Sequence, residues 1–390
     1  MCWKPSASVE ADLDPRLQVT QVAVPADFID LGLGDPQLAL LPREMIHQAA
    51  HDRLSQDDYR YLQYGANQGD GYFRQSLAKF LGKGYGFPVE AGELFITSGA
   101  SMGLHLVCSL FTQPGDTIFI EEPTYMFALR IFADHGLRLI PLEIDKHGLV
   151  IESLEENLLH YHPKILYLIP TFQNPSGRTL TQERREQLLA LSQEHGFLIV
   201  ADEVYHLLSY GEVPPKPFAA YAASGNVISL GSFSKILAPG LRLGWIQAGP
   251  KIIERFVSSG LLDSGGGMNP FTSAIIRTVL ETGGLEQNIA KLISIYRNRL
   301  AAMGDALRRH LPELEYSLPG GGYFIWVRLP HGLTARELQP RAESYKVGFR
   351  PGTSFSSQGG MQDYVRLCFV FYEAGDLEQG IFRLKQAVHG

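Results

Sequence analysis

Between Gly92 and Gly249, short apolar runs alternate with longer stretches whose apolar positions recur every three or four residues. The first pattern suits strands and the second suits helices lying on them. Their regular alternation predicts a parallel sheet with covering helices. The expected strands are Leu94–Thr97, Thr117–Ile120, Arg138–Pro141, Ile165–Ile169, Leu198–Ala201, Val227–Leu230 and Leu243–Ala248. They are rich in Ile, Val and Leu, as strands buried on both faces are. Helices fall between them, for example Thr181–His195, which Thr181 opens as N-cap with Glu183 in the first turn.

From about Glu286 the pattern changes. An amphipathic stretch, Leu285–His310, precedes the runs Gly320–Leu329 and Tyr364–Val370. Helix, strand, helix, strand, helix suggests a smaller α/β domain. The first fifty or so residues carry Gly32, Gly34, Asp35-Pro36 and Leu41-Pro42, as an extended arm leading to a helix would. The expected fold is therefore α/β, with a large domain built on a mostly parallel seven-stranded sheet covered by helices. The N-terminal arm and the C-terminal segment make the smaller α/β domain. The expected divisions are 1–55, 56–284 and 285–390. No internal repeat or low-complexity tract is visible.

A chain of 390 residues exceeds one typical core, in line with that division. A net charge of -7 argues against binding a phosphate backbone as a main task, so no nucleic-acid partner is expected. Cys2, Cys108 and Cys368 lie far apart and form no metal spacing; the last two sit among apolar neighbours and read as core. No metal site is expected, and a reducing, cytoplasmic setting fits this usage. The pair in His160-Tyr-His162-Pro reads as a solvated loop. The opening Met1-Cys-Trp-Lys-Pro-Ser has no signal-peptide core, and Glu10, Asp12 and Asp14 argue against a transit peptide. No apolar stretch is long enough to span a bilayer, so no membrane partner is expected.

The candidate chemistry begins at residues 232–244, Ser-Phe-Ser-Lys-Ile-Leu-Ala-Pro-Gly-Leu-Arg-Leu-Gly. Lys235 follows a strand end, where desolvation lowers a lysine's proton affinity. A neutral amine attacks aldehydes, the basis of Schiff-base chemistry. Ser232 and Arg242 suit a phosphate, one by hydrogen bond and one by charge. Lysine nucleophile and phosphate groups together point to pyridoxal phosphate. Ligands of open α/β sheets sit at the carboxyl ends of the strands. Those ends carry Thr97-Ser98-Gly99-Ala100-Ser101, Glu122-Pro123-Thr124-Tyr125, Pro170–Gly177, Asp202-Glu203-Val204-Tyr205 and Ser232–Lys235.

Asn-Pro-x-Gly at 174–177, Asp-x-x-Tyr at 202–205 and Ser-x-x-Lys-x6-Arg from 232 to 242 occur in order. With them the chain resembles a fold-type I, class I/II pyridoxal-phosphate aminotransferase from about residue 30 to its end. It is most similar to the aminoadipate/kynurenine branch and to the aminotransferase half of MocR-type regulators. The resemblance implies that Lys235 carries the cofactor and shuttles a proton. It implies that Asp202 pairs with the pyridine nitrogen, that Asn174 and Tyr205 serve the phenolate oxygen, and that Tyr125 stacks on the ring. Gly99, Ala100, Ser101, Ser232, Ser234 and Arg242 are the implied phosphate cup. Relatives often carry Ser-Gln where this chain has Ala100-Ser101, which keeps the backbone contacts and alters one side-chain contact. Tyr64 resembles the tyrosine that reaches the neighbouring subunit's phosphate, which implies a homodimer with shared sites. Arg366 corresponds to the arginine that grips the substrate carboxylate, with Asn174 and Gly34 beside it.

Rival readings accompany several of these residues. Asp202 would also serve as a helix N-cap, Asn174 as a turn residue, Tyr125 and Tyr64 as core, and Arg366 as half of a structural salt bridge. Arg328 and Arg350 read as structural. Gly265-Gly-Gly-Met reads as a mobile loop near a dimer contact or as a plain linker. Arg16 or Arg43 would suit an acidic substrate side chain or simply the surface. The implied reaction is transfer of an amino group from an L-amino acid to a 2-oxo acid in a ping-pong cycle. The alternatives are a lyase or decarboxylase on the same fold, or a sensing module without turnover. The last is disfavoured because little room precedes Gly32 for a DNA-binding segment.

Overall fold

The computed structural model describes residues 20–22 and 24–390; Cys2, Glu10, Asp12, Asp14 and Arg16 lie outside the described residues. All seven expected strands form, and they lie in one sheet. Its order is Leu94–Thr97, Gly244–Ala248, Val227–Ser232, Leu198–Asp202, Ile165–Leu168, Thr117–Glu122, Arg138–Asp145 and Gly148–Leu149. The last, a two-residue strand folding back on its predecessor, makes eight strands where seven were expected. The five strands from Val227–Ser232 to Arg138–Asp145 are mutually parallel. Gly244–Ala248 runs against both of its neighbours, so Leu94–Thr97 again points the same way as the five.

The alternation of side chains along each strand divides the core between the sheet's two faces. Ile118, Ile120, Ile165, Tyr167, Val200, Ile228 and Leu230 join one cluster with Leu104 and Phe132 of the helices Ala100–Phe111 and Met126–Asp134. Phe119, Leu166, Leu168, Ile199, Ala201 and Val227 join the other, with Ile151, Leu154 and Leu188 of Ile151–Leu158 and Gln182–His195. Each fully buried aliphatic side chain contributes about 1.5–3 kcal/mol. Both faces are therefore clamped, and the strand ends become rigid mounts. Thr181 caps Gln182–His195 through the Arg184 backbone N–H, as its position predicts.

The C-terminal part forms an antiparallel sheet ordered Glu315–Tyr316, Phe324–Arg328, Tyr364–Cys368 and Arg350–Pro351. Helix Ala335–Ser344 lies against its edge strand and packs on Ala374–His389, which in turn packs on Gly284–His310. The arm joins this part where Ile29–Asp30 pairs with Val347–Gly348. Helix Arg43–Leu54, which follows the arm, packs instead on Pro270–Glu281. Cys108 and Cys368 are buried and unbridged. Among the described residues no helix is long and apolar enough to cross a membrane.

Candidate active site

The parallel strands bring five polar segments to one edge of the large sheet, opposite the arm and the C-terminal sheet. Lys235 follows Val227–Ser232 there, and its Nζ donates to the Gly34 carbonyl at 2.9 Å. Nζ lies 5.2 Å from the centre of the Tyr323 ring, whose hydroxyl donates to the Lys235 carbonyl at 3.0 Å. Burial lowers the amine's proton affinity, against the opposing charges of Asp35 and Asp202. A buried amine so poised is available as nucleophile and base.

Asp202 ends the neighbouring strand and is 7% exposed. The Tyr167 hydroxyl donates to its Oδ2 at 2.9 Å, while its Oδ1 is buried without a partner. Burial pushes the carboxyl up to about 6. Residues 204–207 form a turn, so the helix that an N-cap would start is absent. Tyr205 is buried, with its ring 5.4 Å from Tyr323 and 6.1 Å from Phe324. Tyr125 is half-buried at the start of Met126–Asp134, and burial raises its hydroxyl to about 12. The charges of Asp202 and Asp35 push it the same way, against those of Arg366 and Arg242.

Across the edge, Gly99 precedes Ala100–Phe111 at φ 94° and ψ 167°, and no side chain caps this helix. The N–H groups of its first turn are thus open to an anion. Arg242 closes over them and donates from Nη2 to the Ser98 carbonyl at 3.0 Å. The Ser232 and Ser234 hydroxyls stand 3.0 Å apart, and Ser232 Oγ accepts the Ser234 backbone N–H. Ala100 is half-buried and Ser101 exposed in the first turn. Asn269, to which no role was assigned, braces the cup by donating to the Arg242 carbonyl and to Ser98 Oγ.

Arg366 is 2% exposed in the middle of Tyr364–Cys368. Nη1 donates to Asn174 Oδ1 at 2.9 Å and Nη2 to the Gly32 carbonyl at 2.8 Å. Its guanidinium lies 3.8 Å from the Phe324 ring centre and 4.9 Å from that of Phe355. These partners replace the salt bridge that was its rival reading. Gly34 sits between Lys235 and this guanidinium, with room for only ordinary contact between an added Cβ and Nη2, at 3.6 Å. Asn174 also occupies the turn its sequence suggests, where Gly177 N–H bonds back to Gln173. Gln173 holds that turn to the Tyr125 segment by donating to the Pro123 carbonyl and to the buried Glu121 carboxylate.

Other candidates lie apart. Tyr64 is 79% exposed, which overturns its reading as core. Arg328 is at the surface, bridged to Asp363 and Glu315. Arg43 is exposed at the start of its helix, and His160 and His162 lie in an exposed loop. The Gly265-Gly-Gly-Met segment is neither linker nor free loop. Gly267 N–H bonds to the Gly65 carbonyl at 2.9 Å, and a Cβ at Gly267 would stand 1.8 Å from the Ala66 carbonyl. Only glycine permits that approach, and it fixes the chain beside Tyr64. Tyr167, Tyr323 and Phe324 were read as strand or core residues. Only the aromatic density of Gly320-Gly-Gly-Tyr-Phe-Ile-Trp hinted at more.

The family profile described as Aminotransferase class I and II matches residues 26–383. The chain is 34% identical to the aromatic-amino-acid aminotransferase 1 of Thermococcus litoralis, over 93% of this chain and 88% of that one. It superposes on the kynurenine aminotransferase of Pyrococcus horikoshii with a TM-score of 0.88 at 34% identity, covering 93% and 91% of the two chains. The α-aminoadipate aminotransferase of Thermus thermophilus, solved with a phosphopyridoxyl-leucine, gives 0.85 at 31% identity and covers 94% and 93%. The side chains present fit a phosphorylated pyridine aldehyde. The unpartnered Asp202 Oδ1 suits a ring N–H, the uncapped helix suits a phosphate, and Lys235 offers an amine. The chain belongs to the class I and II aminotransferases, fold-type I enzymes that use pyridoxal 5'-phosphate to move an amino group from an amino acid to a 2-oxo acid.

Proposed function

We propose that Lys235 anchors the cofactor and takes the proton from the substrate Cα, with Asp202 and Tyr205 completing the catalytic group. The buried Asp202 Oδ1 without a partner is the observation that carries this assignment, because it leaves one acceptor for a protonated ring nitrogen. Bound pyridoxal phosphate supplies an aldehyde and an electron-withdrawing ring. Asn174 and Tyr205 hold the phenolate side of the ring and Tyr125 covers one face. Gly99, Ala100, Ser101, Ser232, Ser234 and Arg242 hold the phosphate, which the helix N-terminus also attracts. Arg366 holds the substrate α-carboxylate in its two-pronged fork, with Asn174 and Gly34 beside it.

A homodimer with shared sites is part of this proposal. Tyr59, Leu62, Tyr64, Tyr72 and Phe271 are exposed large side chains. The half-buried Tyr61 has its ring centre 6.1 Å from that of Phe271. A second copy covering this patch would bring Tyr64 to its partner's phosphate. Two buried free cysteines favour a reducing, cytoplasmic compartment. We place the domain divisions near residues 55 and 284, with helix Arg43–Leu54 resting on the large domain. Turnover of Lys235→Ala tests the central assignment. The variant is expected to lose amino transfer while still binding pyridoxal phosphate by absorbance; transfer at the wild-type rate removes Lys235 from the chemistry.

A further inference from the structure

Arg350 carries a charge that the described chain leaves without a counterion. It begins the two-residue edge strand Arg350–Pro351, and the register sets it directly opposite Arg366. Directly opposed residues of an antiparallel pair project from the same face, with Cβ atoms about 4.5–5.5 Å apart. Both guanidiniums therefore leave the sheet on the side from which Arg366 reaches Asn174. Like charges so placed repel. Arg350 is among the causes, behind burial, that lower Arg366 to about 10.

Nothing described in the chain relieves this repulsion. Arg366 bonds to an amide and a carbonyl, and the Nε atoms of both arginines are buried without a partner. Arg328, on the same sheet, has two carboxylates, whereas among the described residues no ion pair forms at Arg350. A half-buried guanidinium without an anion is costly, and its fork is shaped for a carboxylate. Arg328 is structural in this sense, whereas among the described residues Arg350 has no such partner.

We propose that Arg350 binds a second, side-chain carboxylate, so that the site selects dicarboxylic amino acids and their 2-oxo diacids. This rests on the assignment of Arg366 to the α-carboxylate. Phe324 and Phe355 fix the plane of Arg366, whose two terminal nitrogens suffice for one carboxylate. Arg350 stands one strand away, about 4.8 Å across the sheet. That spacing suits the two ends of a short diacid.

The test compares glutamate with glutamine, its neutral isostere, as amino donors for the wild type, Arg350→Lys and Arg350→Met. Losing a charge-assisted hydrogen bond raises KM about 10- to 100-fold. Arg350→Met is expected to show that rise for glutamate alone, with kcat nearly unchanged and glutamine within about twofold. Arg350→Lys should fall between, which keeps the test open if the methionine variant folds poorly. Glutarate and butyrate, titrated by the cofactor's absorbance, give a readout without turnover; glutarate binding alone should weaken. Equal losses for glutamate and glutamine, or no loss for either, would overturn the assignment. A wild-type enzyme inactive with every donor would instead refute the catalytic assignments above.

Discussion

Gly99→Ala probes the phosphate cup at its tightest point. Gly99 adopts φ 94° and ψ 167°, a region essentially restricted to glycine. Holding alanine there costs about 1–3 kcal/mol. The new Cβ would also stand 2.8 Å from Nη2 of Arg242, inside van der Waals contact. That nitrogen is the free end of a long side chain, so it moves and loses its 3.0 Å bond to the Ser98 carbonyl. As a charged donor to the phosphate Arg242 would contribute about 1.5–3 kcal/mol, and its exposure favours the lower figure. The backbone strain is present with and without cofactor, so it lowers unfolding stability and cancels from cofactor affinity. The displacement of Arg242 does not cancel. At about 1.4 kcal/mol per factor of ten, pyridoxal phosphate should bind about 10- to 100-fold more weakly. Urea unfolding of the apoenzyme measures the first effect, and an absorbance titration with pyridoxal phosphate the second. Wild-type affinity in a destabilised variant would remove Arg242 from the cup. Wild-type values of both would refute the reasoning from this geometry.

Asp202→Asn has a signed pH dependence. Burial raises the carboxyl from 3.8 to about 6. The stability this group contributes to the apoenzyme is thus fully present below about pH 4 and is lost as pH rises through about 6. The amide does not titrate, so apo Asp202→Asn should gain up to about 3 kcal/mol on the wild type between pH 4 and pH 7.5 while losing turnover. A stability difference that does not vary with pH in urea unfolding would contradict this. Arg366→Ala should raise KM about 100-fold for every amino acid, because it is assigned to the group they share; a KM that changes for one donor class alone would rule that role out. Tyr64→Phe and Lys235→Ala chains, each weakened alone, should recover activity when mixed if sites are shared between subunits. Activity that is merely the average of the two would contradict sharing.

Much of this was legible along the chain. The apolar runs placed the seven strands to within a few residues because most are buried along nearly their whole length. Arg138–Asp145, exposed or half-buried at most positions, runs past the expected Pro141. The strand ends then stood out as polar segments. Gly148–Leu149 escaped notice because two residues carry no periodicity. Tyr167 and Tyr323 looked like ordinary core, since an aromatic in an apolar run does not disclose where its hydroxyl points. Gly265-Gly-Gly-Met reads along the chain as a mobile loop or a linker, because close packing against Gly65 leaves no trace in local composition.

By itself the sequence determined the elements, the order of the motifs and the candidate lysine, because each depends on neighbours within a few positions. The tertiary structure decided which groups meet. Lys235 reaches Gly34 across 201 positions and Arg366 reaches Asn174 across 192. It set Arg350 beside Arg366 by strand register, which a shift of one residue would reverse. It also left Asp202 Oδ1 buried without a partner. Charge repulsion and desolvation depend on distance and surroundings in space, so these properties exist only once the chain has folded.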